Sequence, residues 1–333
     1  MTEIPSLREL APEAVLRRLE LVISRRLDGM LQGDYQGLLP GPGSDPDESR
    51  LYQPGDDVRR MDWNVTARTT APHVRDPLAD RELETWVLLD RSPSMDFGSA
   101  RCEKRDMALA AAAAVGFLTL RVGNRVGAVM LGPGPAERLP ARTGRQALLG
   151  LLRRLATTPS GGSGDGAGAG AATDLAAGVE QLARPPRPRG LAVVVSDFLS
   201  DTDWDRPLRV LAQRQQVLAI EVVDPLELEL PDVGYLTLVD PETGRVREVQ
   251  TSKRPLRDRY AAAAAEQRAD IARRLRRAGA NHLLLRTDSD LVLEVVRFVM
   301  AQRRTRRVAR PAQVITAPMT TAQMTTAQLG TDR

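Results

Sequence analysis

Four short aliphatic runs, each separated from the next by a stretch of helical character, restrict this chain to few architectures. TWVLLD (85–90), RVGAVML (125–131), LAVVVSDF (191–198) and QVLAIEVV (216–223) are dominated by Val, Leu, Ile and Ala. A strand apolar on both faces must be covered on both faces, which is the condition of a parallel sheet between helices. Helices are predicted from Glu103 to about Arg121, from about Gly144 to Ala156, from Thr173 onward, and near Asp203 to Gln215. A long helix from about Leu256 to Ala278, a strand NHLLLR (281–286) and a last helix from about Asp290 to Gln302 continue the pattern. Residues 233–250 read as a hairpin, YLTLVD against RVREVQ around Glu242-Thr243-Gly244. Alternating strands and helices imply an α/β fold with a mainly parallel central sheet and helices on both faces.

The flanks differ in character. Leu10, Val15, Leu16, Leu19, Val22, Ile23, Leu27 and Leu31 recur at helical spacing, so residues 1–32 should form an amphipathic N-terminal helix. Residues 33–83 are rich in loop signals and are expected to be a loop and β-rich segment, and 84–302 the main domain. From residue 303 an arginine cluster (Arg303, Arg304, Arg306, Arg307, Arg310) leads into a polar tail that carries MTTAQ twice in tandem. A tail without apolar periodicity is expected to be disordered.

Composition excludes several classes. Apolar residues make up 42% of the chain but only 3% are aromatic, so the core must be aliphatic and alanine-rich. The net charge is +4, with basic residues interspersed among acids. Weak charge and few stacking rings argue against nucleic-acid binding. Cys102 is the single cysteine, which excludes an internal disulfide and a cysteine-based zinc cluster. No apolar run approaches the ~18–20 residues that span a bilayer. A cytoplasmic protein without an integral membrane segment is expected.

Asp90 ends the first aliphatic run, and Ser92 and Ser94 follow at alternate positions. Thr173 stands at a predicted helix start after the glycine-rich run 160–172, and Asp197 ends the strand at 191–196. In open parallel sheets ligands bind at the carboxyl ends of the strands. Two carboxylates and three hydroxyls are hard oxygen donors, suited to Mg²⁺, or to Mn²⁺ or Ca²⁺, and poorly suited to zinc. Each signal alone also reads as a helix cap or strand terminator, because Asp, Ser and Thr are favoured caps.

Together, Asp90-Arg91-Ser92-Pro93-Ser94, Thr173 and Asp197 resemble the metal-ion-dependent adhesion site of von Willebrand factor A domains. YQPGDDVRRMDWNVTART, followed by RELETWVLLDRSPSM and FGS, is similar to the bacterial proteins grouped as domain of unknown function 58. The resemblance implies a von Willebrand factor A-like, Rossmann-like sheet, which here is flanked by the N-terminal helix and a small β-rich insert read from the residues above. It implies that Asp90, Ser92, Ser94 and Thr173 hold a divalent ion, that Asp197 acts through water, and that an acidic residue of a client protein completes the shell. It also implies partnership with a MoxR-type AAA+ ATPase in maturing or remodelling protein complexes. Asp56, Asp57, Arg59, Asp62 and Trp63, in the PGDD-x-R-x-x-DW element, become candidate partner-binding residues; on chemistry alone they also read as a solvated turn with local ion pairs.

Other functions have less support in the residues. An enzyme would need a base, and His73 and His282 lie in a proline-rich loop and at a strand start, away from the serines. A metal hydrolase would want more carboxylates or a histidine set. The glycine run lacks G-K-[ST] and follows no strand directly, so it is no phosphate loop. The expectation is a non-enzymatic, metal-dependent protein-binding module; a metal-independent adaptor is the alternative.

Overall fold

A computed structural model describes residues 12–30, 49–53, 58, 61–69, 71–75, 84–120, 123–132, 134–158, 173–184, 190–239 and 245–309. The aliphatic runs are the inner strands of one sheet: β3 (Glu84–Asp90), β4 (Arg125–Leu131), β6 (Gly190–Ser196) and β7 (Gln216–Val223). β10 (Asn281–Arg286) flanks β7 at one edge, and β5 (Glu137–Arg142) flanks β4 at the other. The order is β10-β7-β6-β3-β4-β5, parallel throughout except for β4 with β5. The chain therefore starts in the middle, winds one way to β5 and then back to β10. The crevice where the winding reverses lies at the carboxyl ends of β3 and β6.

Alternation along β3 divides the core. Val87 and Leu89 pack on one face and Trp86 and Leu88 on the other, all nearly inaccessible. The first face carries α3 (Lys104–Leu120), α4 (Arg145–Thr157), α8 (Leu291–Ala309) and the N-terminal α1 (Pro12–Met30). The alanine run 110–114 is wholly buried there, where small side chains let α3 sit close to the strands. On α1, Val15, Leu16, Leu19 and Ile23 face the domain and are buried. The predicted amphipathic helix is thus a layer of the core. The second face carries α5 (Leu175–Leu182), α6 (Asp205–Ala212) and α7 (Arg254–Arg277).

Three differences from the expected elements have physical causes. β5 lacks any strand signal in ERLPAR because it is an edge strand, where proline and exposed charge are tolerated. α8 continues to Ala309 instead of ending near Gln302, since arginine is a good helix former. The helix expected to open at Thr173 opens at Leu175, capped by Asp174, whose carboxylate accepts from Ala177 N at 3.1 Å. That leaves Thr173 on the loop.

Two smaller sheets complete the described structure. β8 (Tyr235–Val239) and β9 (Val246–Gln250) form the predicted hairpin, with Tyr235 opposite Gln250. β1 (Ser49–Leu51) pairs with β2 (His73–Arg75), and α2 (Trp63–Thr69) lies between them in sequence. The segment expected to be loop and β-rich therefore also holds a helix. Asp62 precedes α2 and Val65 N donates to its carboxylate at 3.2 Å, as expected of a helix N-cap. The glycine run, the turn 240–244 and the tandem MTTAQ segment lie outside the described residues.

Candidate metal centre

Asp90 is the last residue of β3, one position beyond the paired Leu89 and Val195 of β6. It is buried and both of its oxygens are engaged: Oδ1 accepts from Ser92 N at 2.9 Å and Oδ2 from the Ser196 hydroxyl at 2.5 Å. The turn after Asp90 brings the Ser92 and Ser94 hydroxyls within 3.0 Å of each other. Between them, Pro93 opens a short 3₁₀ turn (Pro93–Asp96). Arg91 points the other way. Its guanidinium donates to the carbonyls of Leu155 and Thr158 and so closes the C-terminal end of α4.

Asp197 follows β6 directly. Its Oδ1 accepts from Leu199 N at 3.0 Å and its Oδ2 from Lys104 Nζ at 2.9 Å. Ser94 also bonds to this carboxylate, so the two strand ends share one polar cluster. The turn is tight. Phe198 has φ 57°, the left-handed region that non-glycine residues seldom adopt, and its N–H donates to Ser196 Oγ at 3.0 Å. Its ring is buried against Trp204, with centroids 5.1 Å apart, which holds the strained turn in place.

Thr173 reaches the same edge from the loop ahead of α5. Its carbonyl accepts from Ser200 Oγ at 3.1 Å, on the loop that follows Asp197. Gly178 sets how closely α5 lies on the sheet. A Cβ there would stand 2.9 Å from Leu88 Cδ1 and 3.0 Å from Leu131 Cδ2. The Thr173 hydroxyl is buried and has no hydrogen-bond partner among the described residues.

The electrostatics follow from burial and proximity. Burial, and then the charge of Asp197, push the Asp90 carboxyl up to about 6, against the lowering by bonds from Ser196 and Ser92. Asp197 lies below the ordinary carboxylate range. Burial alone would raise it, but the Lys104 charge and hydrogen bond outweigh that. The oxygens of Asp90, Ser92, Ser94, Thr173 and Asp197 fit a hard divalent cation: two acids, three hydroxyls, and one buried hydroxyl lacking a partner. Among the described residues no cluster of three or more His, Cys, Asp or Glu could hold a metal.

Sequence reasoning missed five groups at this edge: Ser196, Lys104, Glu227, Arg268 and Glu221. Ser196 orients Asp90. Lys104 joins Asp197 to Glu227, at 2.5 Å from Glu227 Oε1. Arg268 of α7 donates to the Asp197 carbonyl at 3.2 Å and to Glu221 Oε1 at 2.9 Å. Only Ser196 carried a visible signal, as the polar residue ending an aliphatic strand. His282 bonds Glu221 at 2.7 Å, and His73 Nδ1 lies 2.8 Å from the Ala71 carbonyl; neither bonds to the serines. Of the expected partner-binding residues, Trp63 is 67% exposed and Asp62 is buried at its cap. Asp56, Asp57 and Arg59 lie outside the described residues.

Comparison with known proteins gives the following. The family model "Protein of unknown function DUF58" matches residues 48–270. The uncharacterized proteins Rv1480 from Mycobacterium tuberculosis and Mb1516 from Mycobacterium bovis are each 57% identical over 291 residues, covering 87% of this chain and 90% of theirs. Among solved structures, the conserved hypothetical protein BatB from Bacteroides thetaiotaomicron matches with TM-score 0.39 at 15% identity, covering 67% of this chain and 99% of that one. A von Willebrand factor type A protein from Catenulispora acidiphila matches with TM-score 0.36 at 14% identity, covering 70% and 43%.

Proposed function

This chain belongs to the DUF58 family, and from that premise we propose that it is a non-enzymatic, divalent-cation-dependent protein-binding module. In this reading it acts with a MoxR-type AAA+ ATPase in the cytoplasm, in maturation or remodelling of protein complexes. The observation that carries the cation is the Thr173 hydroxyl, buried and without a hydrogen-bond partner among the described residues. A buried polar atom left unpaired costs on the order of 1–3 kcal/mol, and a cation at this edge would satisfy it. Asp90, Ser92, Ser94 and Thr173 would hold Mg²⁺, or Mn²⁺ or Ca²⁺, and Asp197 would orient a coordinating water. The ion would supply positive charge, for which an acidic side chain of a client protein is the fitting ligand. No histidine bonds to Ser92 or Ser94 among the described residues, and a serine nucleophile would need an adjacent base.

The test is a pull-down from the host with tagged wild type and Asp90→Ala, each with and without EDTA. Partners should be recovered only by wild type without chelator. Equal recovery in all four arms would leave no role for the cation. An adaptor reading draws support from exposed Trp63 instead. It expects charge reversal at Asp56, Asp57 and Arg59 to abolish ATPase association in a folded, EDTA-treated protein, and it fails if association persists.

A further inference from the structure

Lys104 is an expensive residue to keep where it stands. Its side chain is 0% exposed, and it begins α3, where the helix dipole disfavours a cation. An ion pair so deeply buried seldom stabilises a fold more than apolar residues of the same volume would. Yet its ammonium is placed with care, 2.9 Å from Asp197 Oδ2 and 2.5 Å from Glu227 Oε1. Glu227 is held in turn, since its Oε2 accepts from Asp224 N at 3.0 Å. The Lys104 backbone N–H donates to the Phe97 carbonyl at 2.8 Å. That bond ties the start of α3 to the loop that follows Ser94. At that loop Gly98 is obligatory, because a Cβ would fall 2.5 Å from the Cys102 carbonyl oxygen.

The geometry points to Lys104 as the charge-setting residue of the candidate metal centre. The inference rests on the cation reading above and assigns a role within it. Asp197 Oδ2 is bonded to the ammonium, Oδ1 to Leu199 N, and Ser94 adds a bond to the carboxylate, so direct ligation of an ion would have to compete with a buried cation. Lys104 therefore keeps Asp197 one step removed from the ion and offsets part of its charge. Asp90 is then the one uncompensated carboxylate in the set, so a divalent ion leaves the loaded centre with surplus positive charge. Such a centre binds the bare ion weakly and favours an anionic ligand. Lys104 makes cation and acidic partner depend on each other.

The experiment measures Mn²⁺ affinity by electron paramagnetic resonance titration of wild type, Lys104→Met, Glu227→Gln and Asp90→Asn, with circular dichroism confirming each fold. Removing a like charge this close to the ion should tighten Mn²⁺ binding in Lys104→Met by at least about tenfold. Glu227→Gln removes the other counter-charge of the ammonium and should weaken binding; Asp90→Asn should abolish it. Unchanged or weaker binding in Lys104→Met, with wild type binding, overturns the role of Lys104 and leaves the cation reading intact. Binding only by Lys104→Met supports the role but overturns cation dependence of the native chain. Binding by no variant and not by wild type overturns both. If Lys104→Met does not fold, Glu227→Gln decides, and unchanged or tighter binding there overturns the role.

Discussion

Asp224 ties three chain segments together from a fully buried position. Its carboxylate accepts from Ser99 N at 2.8 Å, the Thr287 hydroxyl at 2.7 Å and Leu226 N at 3.0 Å, and the Ser99 hydroxyl adds a further bond. It thus clamps the loop after Ser94 to the ends of β7 and β10. Replacing it by Ala removes the acceptor of four donors, the Thr287 hydroxyl fully buried among them, so Asp224→Ala should lose about 3 kcal/mol in urea unfolding at pH 7. Burial alone would raise the Asp224 carboxyl, but the bonds from Ser99, Thr287 and Leu226 outweigh it and hold it below the ordinary range. A depressed folded value means that the ionised form stabilises the fold above the unfolded value of about 4, and that this stability is lost as pH falls through the folded value. The stability gap between wild type and Asp224→Asn should therefore close as pH is lowered below about 4. A gap that stays constant from pH 7 to pH 3 would show that charge at Asp224 is irrelevant.

At the scale of elements, the position of α5 governs where Thr173 lies. Gly178 leaves no room for a side chain against Leu88 and Leu131, whereas a Cβ at Gly150 of α4 would meet nothing within 4 Å. Gly178→Val should cost roughly 1–3 kcal/mol by overpacking, and Gly150→Ala should add up to about 1 kcal/mol by helix propensity. Chemical denaturation of the two variants checks this, and equal effects would mean that α5 is not closely seated. Elements with strong periodicity were legible in sequence: the aliphatic strands, α3, α7 and the β8–β9 hairpin all stand within a few residues of their expected places. β5 was not, because ERLPAR spends its residues on an edge, where pairing to β4 rather than side-chain pattern makes the strand.

For the molecule as a whole, the charged groups at the carboxyl edge link both helical layers to the crevice. Lys104 comes from α3 on one face and Arg268 from α7 on the other, and both bond to Asp197. A ligand binding only the folded state raises stability by RT ln(1 + [L]/Kd), about 2.7 kcal/mol at a hundredfold excess over Kd. Saturating Mg²⁺ or Mn²⁺ should accordingly raise the thermal midpoint of wild type, EDTA should reverse the shift, and Asp90→Ala should show none. A wild-type midpoint indifferent to both ions would count against the cation reading.

Sequence alone determined the class of fold, the central strands and the identity of the oxygen-bearing residues, because a strand buried on both faces and the carboxylate that ends it are local signals. It also placed Asp90, Ser92 and Ser94 on one turn. Tertiary structure decided what those oxygens face. Asp90 and Asp197 lie far apart in the chain and become neighbours only because β3 pairs with β6 at the point where winding reverses. Lys104, a lone lysine at a helix start in the sequence, became a buried counter-charge for the same reason. Its partners Asp197 and Glu227 come from remote segments, and burial strengthens a charge interaction that no local pattern records.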